Sequence, residues 1–201
     1  MLNADAFEIA LDVIEILKPG CVRIEVKGSI IRLASHVKDI DILAMPDLTP
    51  LPLPKPEFGK LIPPVHKTVL DRILWTHRVK EEGGEGLWYL SGSDHKKALG
   101  LVKNDIKVEL WLVTPPAQWG VLSMLRTGPK DFSHWMVTRK SMGGGLPDEY
   151  ICQDGVIGRR TRNSYGYARE GEIPMPEEAD FFDLCGMKWT EPCLRLAKWR
   201  K

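Results

Sequence analysis

Nowhere in the 201 residues do the roughly 18 consecutive apolar side chains of a membrane span follow one another. The amino terminus carries Asp5, Glu8 and Asp12 where a secretory leader would need a basic start and an unbroken apolar stretch. A soluble, intracellular protein with no membrane partner is expected. Cysteine is scarce: four residues, Cys21, Cys152, Cys185 and Cys193, none in a CxxC pair and none at a matching spacing from histidine. Neither a zinc site nor a disulfide framework is indicated, and reduced, mostly buried thiols are expected. Charge of one sign is not in excess, with 28 Lys+Arg against 27 Asp+Glu, so any nucleic-acid surface must come from local segregation. There is no internal repeat and no low-complexity tract beyond one proline-rich stretch. What is present, 43% apolar and 27% charged residues, suffices to bury one sizeable core or two small ones.

Phe7, Ile9, Ala10, Val13, Ile14 and Leu17 recur at helical spacing before Pro19-Gly20, which predicts a helix over 5–17. Strict alternation predicts strands at 22–26 and 39–43, with a Gly28-Ser29 turn between them. Seven prolines between 46 and 64 exclude a regular element and predict an ordered surface loop. Helical spacing returns over 65–80, a break follows at 81–86, and strands are expected at 87–90, 98–102 and 106–113. Pro115-Pro116 can open a helix over 117–126 that Thr127-Gly128-Pro129 ends. Further helices are expected over 131–139 and 177–184, the first followed by the Gly143-Gly144-Gly145 break.

Residues two apart on a strand share a face, so Asp39 and Asp41 present adjacent carboxylates that repel unless a cation sits between them. Glu109 lies mid-strand among apolar residues, where an ionised side chain is costly unless paired or metal-bound, and is the candidate third acid. Oxygen ligands at this separation suit one or two Mg²⁺ ions. Upstream, Gly28-Ser29 supplies backbone N–H groups and a hydroxyl and Arg32 a forked cation, a set able to hold the terminal phosphates of a nucleotide. Each piece is common without function, since Gly-Ser turns and Asp-x-Asp occur by chance and a lone strand Glu usually faces solvent. Their order along the chain is what a solvated surface does not require. Arg159, Arg160, Arg162 and Arg169 interleave with Tyr165 and Tyr167 in the one segregated basic stretch. It reads about equally as a phosphate-tracking strip or a solvated loop, with Arg139 and Lys140 a weaker candidate of the same kind. The seven tryptophans are expected mostly in the core, Trp135 alone being a candidate for nucleic-acid contact, and no histidine is marked as a base or ligand.

The run Gly28-Ser29-Ile30-Ile31-Arg32 followed by Asp39-Ile40-Asp41 resembles the signature of the nucleotidyltransferase superfamily, and within it of the family X DNA polymerases of the polymerase beta type. Three further segments are similar. Val108-Glu109-Leu110-Trp111-Leu112 through Gly120-Val121-Leu122 resembles the third-acid strand and following helix, and Thr127-Gly128-Pro129-Lys130-Asp131-Phe132 the turn that flanks the incoming nucleotide. Glu177-Glu178-Ala179-Asp180-Phe181-Phe182 to Glu191-Pro192 resembles the carboxy-terminal helix and ending. The chain departs from the family at Glu109, where Asp is usual, at Leu125-Arg126, where many relatives place aromatics, and at Pro129 and Ser133, which replace Ser and Asn.

This resemblance covers nearly the whole chain and implies an α/β (α+β) fold. It implies a nucleotidyltransferase palm with a mixed sheet and helices on one face (1–114), then a small nucleotide-binding carboxy-terminal subdomain, mainly helical with a small sheet (115–201). The form it implies is minimal, one expected to lack the lyase and helix-hairpin-helix domains. The implied function is a DNA polymerase that transfers a nucleotide from a nucleoside triphosphate to a DNA 3'-hydroxyl in gap filling or repair. Two Mg²⁺ ions, with Mn²⁺ able to substitute, would be bound by Asp39, Asp41 and Glu109, the two aspartates bridging both ions and Glu109 serving the one that activates the hydroxyl. Nucleotide contacts would come from Gly28, Ser29, Arg32, Leu125, Arg126, Thr127, Gly128 and Lys130, with Leu125 and Arg126 beside the sugar. DNA contacts would come from Arg139, Lys140, Arg159, Arg160 and Arg162. The partners implied are gapped or primer-template DNA and nucleoside triphosphates, for a monomer that is cytoplasmic or virus-encoded and intracellular. The alternatives are a nucleotidyltransferase that is template-independent or acts on RNA or a small acceptor, and, in another class, a catalytically inactive nucleic-acid-binding protein.

Overall fold

The computed structural model describes residues 1–52, 66–79, 86–93, 95–103 and 106–195. Helical spacing of apolar residues makes α1 (Asn3–Leu17), which buries Ala6, Ala10, Val13 and Leu17, and Lys18–Gly20 ends it in a 3-10 turn. The chain enters β1 (Cys21–Lys27), makes a short helix α2 (Gly28–Ile31) where only a turn is expected, and returns through β2 (Asp39–Pro46). α3 (Val69–Thr76) is shorter than expected, and positions 53–65 and 80–85, with most of the proline-rich stretch, lie outside the described residues. Its start is fixed by reciprocal capping: the Thr68 hydroxyl accepts from the Asp71 N–H, and the Asp71 carboxylate accepts from the Thr68 N–H. β3 (Trp88–Gly92), β4 (Lys96–Leu101) and β5 (Lys107–Leu112) follow.

These five strands form one mixed sheet in the order β1-β2-β5-β4-β3, parallel only between β2 and β5. Alternation sets its two faces. Ile40, Ile42 and Ala44 of β2 and Val108 and Leu110 of β5 are fully buried and pack with α1 and α3 in the larger core. Asp39, Asp41, Glu109 and Trp111, of the other parity, therefore stand on the opposite face. Farther along that face Leu43 meets Val113 and Trp119 in a small cluster.

Beyond β5 come α4 (Trp119–Thr127), α5 (Lys130–Val137), β6 (Tyr150–Gln153), β7 (Val156–Asn163), β8 (Gly166–Glu170) and α6 (Glu178–Leu184). α4 begins later than 117 because Gln118 is held extended: its N–H donates to the Gly155 carbonyl and its side-chain amide to that of Ile173. α5 stops short of 139, with a separate 3-10 turn at Lys140–Met142. Val121, Met124, Phe132, Met136, Ile157, Phe181 and Phe182 make a second core against the antiparallel sheet β6-β7-β8. The fold is thus α/β, with a mixed five-stranded sheet and a separate three-stranded one. The basic stretch lies on the β7-β8 hairpin. Among the described residues no helix is long and apolar enough to cross a membrane. The cysteines are free; burial pushes the thiols of Cys21 and Cys152 up to about 11 and that of Cys185 up to about 12, while Cys193 is exposed.

Candidate active site

Register assembles the acids. Lys27 of β1 lies opposite Asp41 of β2, Asp41 lies beside Glu109 of the parallel strand β5, and Asp39 lies beside Lys107. Asp41 is therefore central, with Asp39 two residues along its own strand and Glu109 on the next, all on one face. Gly28 closes on it from behind. Its φ is +68°, and a Cβ there would lie 2.1 Å from Oδ2 of Asp41, so both backbone conformation and space require glycine.

Asp41 and Glu109 stand in different electrostatic surroundings. Burial pushes the Asp41 carboxyl above the usual carboxylate range, and Asp39 and Glu109 push the same way, opposed by Arg126 and by the Trp111 indole N–H donated to Oδ1 at 3.1 Å. Burial would also raise Glu109, but Lys107 and Lys96 outweigh it and hold the carboxyl below its usual range. Lys96 Nζ is 2.5 Å from Oε2 and Lys107 pairs with Oε1, while the Glu109 side chain is only 13% exposed. Among the described residues no group of three or more His, Cys, Asp or Glu side chains is gathered to hold a metal ion. The donor chemistry at Asp39 and Asp41, two crowded oxygen acids on one face, fits Mg²⁺. Glu109 fits as a further ligand only by exchanging lysine for metal.

Beside Asp41 opens a cleft of about 310 Å³ lined by Arg32, Leu125, Arg126, Gly128, Lys130 and Ser133, so five of the expected nucleotide contacts converge there. Arg32 is already engaged: its Nη1 donates to the carbonyls of Thr127 at 2.8 Å and Gly128 at 3.3 Å, fastening the α4–α5 turn to α2. Arg126 lies over Trp111, its Cζ 3.3 Å from the ring centroid, and Lys96 Nζ is 4.2 Å from the centroid of the same ring. Ser29 Oγ and Thr127 Oγ1 are buried without a hydrogen-bond partner among the described residues. Thr127 lines a different cavity, with Arg23, Glu25 and Lys27. Trp111 is the site residue that sequence reasoning assigns to the core; its same-face spacing from Glu109 was the available signal.

The basic residues do not form one strip. Arg160 pairs with Arg169 and Arg162 with Tyr167, which puts those four on one face of the hairpin, whereas Arg159 pairs with Tyr150 and Glu170 on the other. Arg160 Cζ stacks 3.5 Å from the Tyr167 centroid, with Arg139 6.0 Å from it. Lys140 is exposed on its 3-10 turn. Trp135, the tryptophan expected as a candidate for nucleic-acid contact, is half-buried against the second core, so close to Gly145 that a Cβ there would lie 2.8 Å from the ring. The chain matches no protein-family model, and no curated protein matches it.

Proposed function

We propose that the chain is a nucleotidyltransferase of the DNA polymerase type, which transfers a nucleotide from a nucleoside triphosphate to the 3'-hydroxyl of gapped or primed DNA. The observation that carries this reading is the β2–β5 register that sets Asp41 beside Glu109 with Asp39 on the same face, next to a cleft whose wall is cationic. Asp39 and Asp41 would hold Mg²⁺, joined by Glu109 once its lysines are exchanged. The metal would supply charge neutralisation at the phosphoryl group and activation of the attacking hydroxyl.

The protein's own groups do the rest. Arg126 and Lys130 counter phosphate charge in the cleft, and Arg32 holds the Thr127-Gly128 turn, whose Gly128 lines it. Glu109, once released from Lys96 and Lys107, would orient the attacking hydroxyl and accept its proton. The face of the hairpin that carries Arg160, Arg162 and Tyr167 supports a nucleic-acid acceptor over a small molecule.

Primer extension with deoxynucleoside triphosphates and Mg²⁺ tests this on gapped duplex, single strand and no nucleic acid. Extension dependent on gapped or primed duplex is expected, and Asp41→Asn should lower turnover by at least about a hundredfold, roughly 2.7 kcal/mol of transition-state stabilisation. Nucleotide addition without a template would favour the template-independent reading. DNA binding without turnover would favour the inactive binder.

A further inference from the structure

We infer that Arg126, lying on the Trp111 ring, is the phosphate ligand of the cleft and takes the condensed phosphate of a nucleoside triphosphate or of released pyrophosphate. The inference rests on the nucleotidyl-transfer reading, and it reassigns to Arg126 a role the sequence gives to Arg32. The cleft is lined by three cations, Arg32, Arg126 and Lys130, against one acid, Asp41, so its wall carries net positive charge. The Nη1 of Arg32 is spent on two carbonyls of the turn. Arg126 is the opposite case. Its Nε is buried with no hydrogen-bond partner among the described residues, and the ring beneath it offers a π face but no acceptor.

The nearby acids do not satisfy it. Glu109 is paired with Lys96 and Lys107, and Asp41 accepts from the Trp111 indole. Burial disfavours the Arg126 charge, and the two acids favour it only from beyond ion-pair distance. A buried guanidinium N–H without an acceptor is costly, and a phosphate offers several oxygens matched to its planar fork. Lys130, on the same cleft, adds a second cation without that directional geometry. The guanidinium on the palm-strand tryptophan is therefore placed for phosphate, not for the sugar that the sequence resemblance sets beside it.

Isothermal titration of the full chain in Mg²⁺ with inorganic tripolyphosphate, pyrophosphate, dATP and deoxyadenosine tests the assignment. Tripolyphosphate and dATP are expected to bind, and Arg126→Gln should weaken both at least tenfold while Arg126→Lys loses less. The pyrophosphate arm separates the product from the substrate as the source of the ligand. Unchanged tripolyphosphate affinity in Arg126→Gln overturns the inference and leaves the nucleotidyl-transfer reading standing. Failure of the wild type to bind any phosphate or nucleotide overturns both. Because Arg126→Gln also removes the stack on the ring, Trp111→Phe supplies an independent readout: the phosphate-induced change in indole emission should vanish with Trp111, and its persistence undiminished would place the phosphate elsewhere.

Discussion

Replacing Asp41 with Asn keeps an acceptor for the Trp111 N–H but removes a charge that burial, Asp39 and Glu109 all oppose. A carboxyl raised in the folded state contributes stability below the unfolded carboxylate range, about 3.9, and that contribution is lost as pH rises through the raised folded value. Asp41→Asn is therefore expected to be inactive yet to melt above the wild type at about pH 7 in the absence of divalent ions, the gap closing below about pH 4. Thermal melts at the two pH values check this, and a variant melting lower at neutral pH would mean that the Asp41 charge is stabilised in the fold. Gly28 makes the complementary case, because any side chain there meets the same carboxylate and the backbone sits at φ +68°. Gly28→Ala should cost about 1–3 kcal/mol from the strained conformation, measured by urea unfolding, and should lose extension activity because Oδ2 of Asp41 must move away from the new methyl. The parity of Asp39, Asp41 and Glu109 was legible from local sequence, since alternation alone assigns a face. The tie between Trp111 and Asp41 was not, because it depends on two strands whose bonded side chains are 70 residues apart.

α6 starts with two adjacent glutamates that do unlike work. Glu177 accepts Arg23 of β1 bidentately, at 2.6 and 2.9 Å, and its N–H donates to Asp180 at the helix start. The Arg23–Glu177 pair is well exposed, with 34% and 57% of the two side chains accessible, so solvent screens it. Glu178 instead meets Arg195, whose side chain is completely buried, at 2.6 Å. Removing one partner of a buried pair leaves an uncompensated charge, whereas an exposed pair contributes little. Glu178→Ala should therefore destabilise by about 3–5 kcal/mol and Glu177→Ala by at most about 1 kcal/mol, as compared by denaturant midpoints at constant slope. Equal losses would place the energy of this region in the helix start and not in the buried arginine. The helix expected over 177–184 matches α6 within a residue, but nothing in the local sequence marks Arg195, which lies outside the helix and is buried through tertiary packing. The short helix α2 was missed for a related reason: four residues carry no period to read, and Arg32 is anchored by carbonyls 95 and 96 residues away.

In each of the two sheets strand parity sorts the candidate site residues onto faces. The five-stranded sheet turns Asp39, Asp41 and Glu109 to one face, and the small sheet turns Arg160, Arg162 and Arg169 with Tyr167 to one side and Arg159 to the other. Composition located this basic stretch, but the division became readable only once β7 paired with β6 and β8, since a loop has no faces. If DNA lies along the outward side, its affinity must depend on Arg162 and Arg160 and be nearly indifferent to Arg159, which pairs with Glu170 and Tyr150. Arg160→Gln with Arg162→Gln should weaken binding to duplex of any sequence and reduce the slope of log affinity against log salt by up to about 0.9 for each phosphate no longer neutralised. Arg159→Gln should change neither quantity beyond the general effect of one distant charge. Salt-dependent fluorescence anisotropy on a labelled gapped duplex separates the variants. A slope loss for Arg159→Gln half that of the double variant, in proportion to the charges removed, would show that the hairpin contributes only net charge, and a drop for Arg159→Gln alone would put DNA on the opposite face, against the core-facing side of β7.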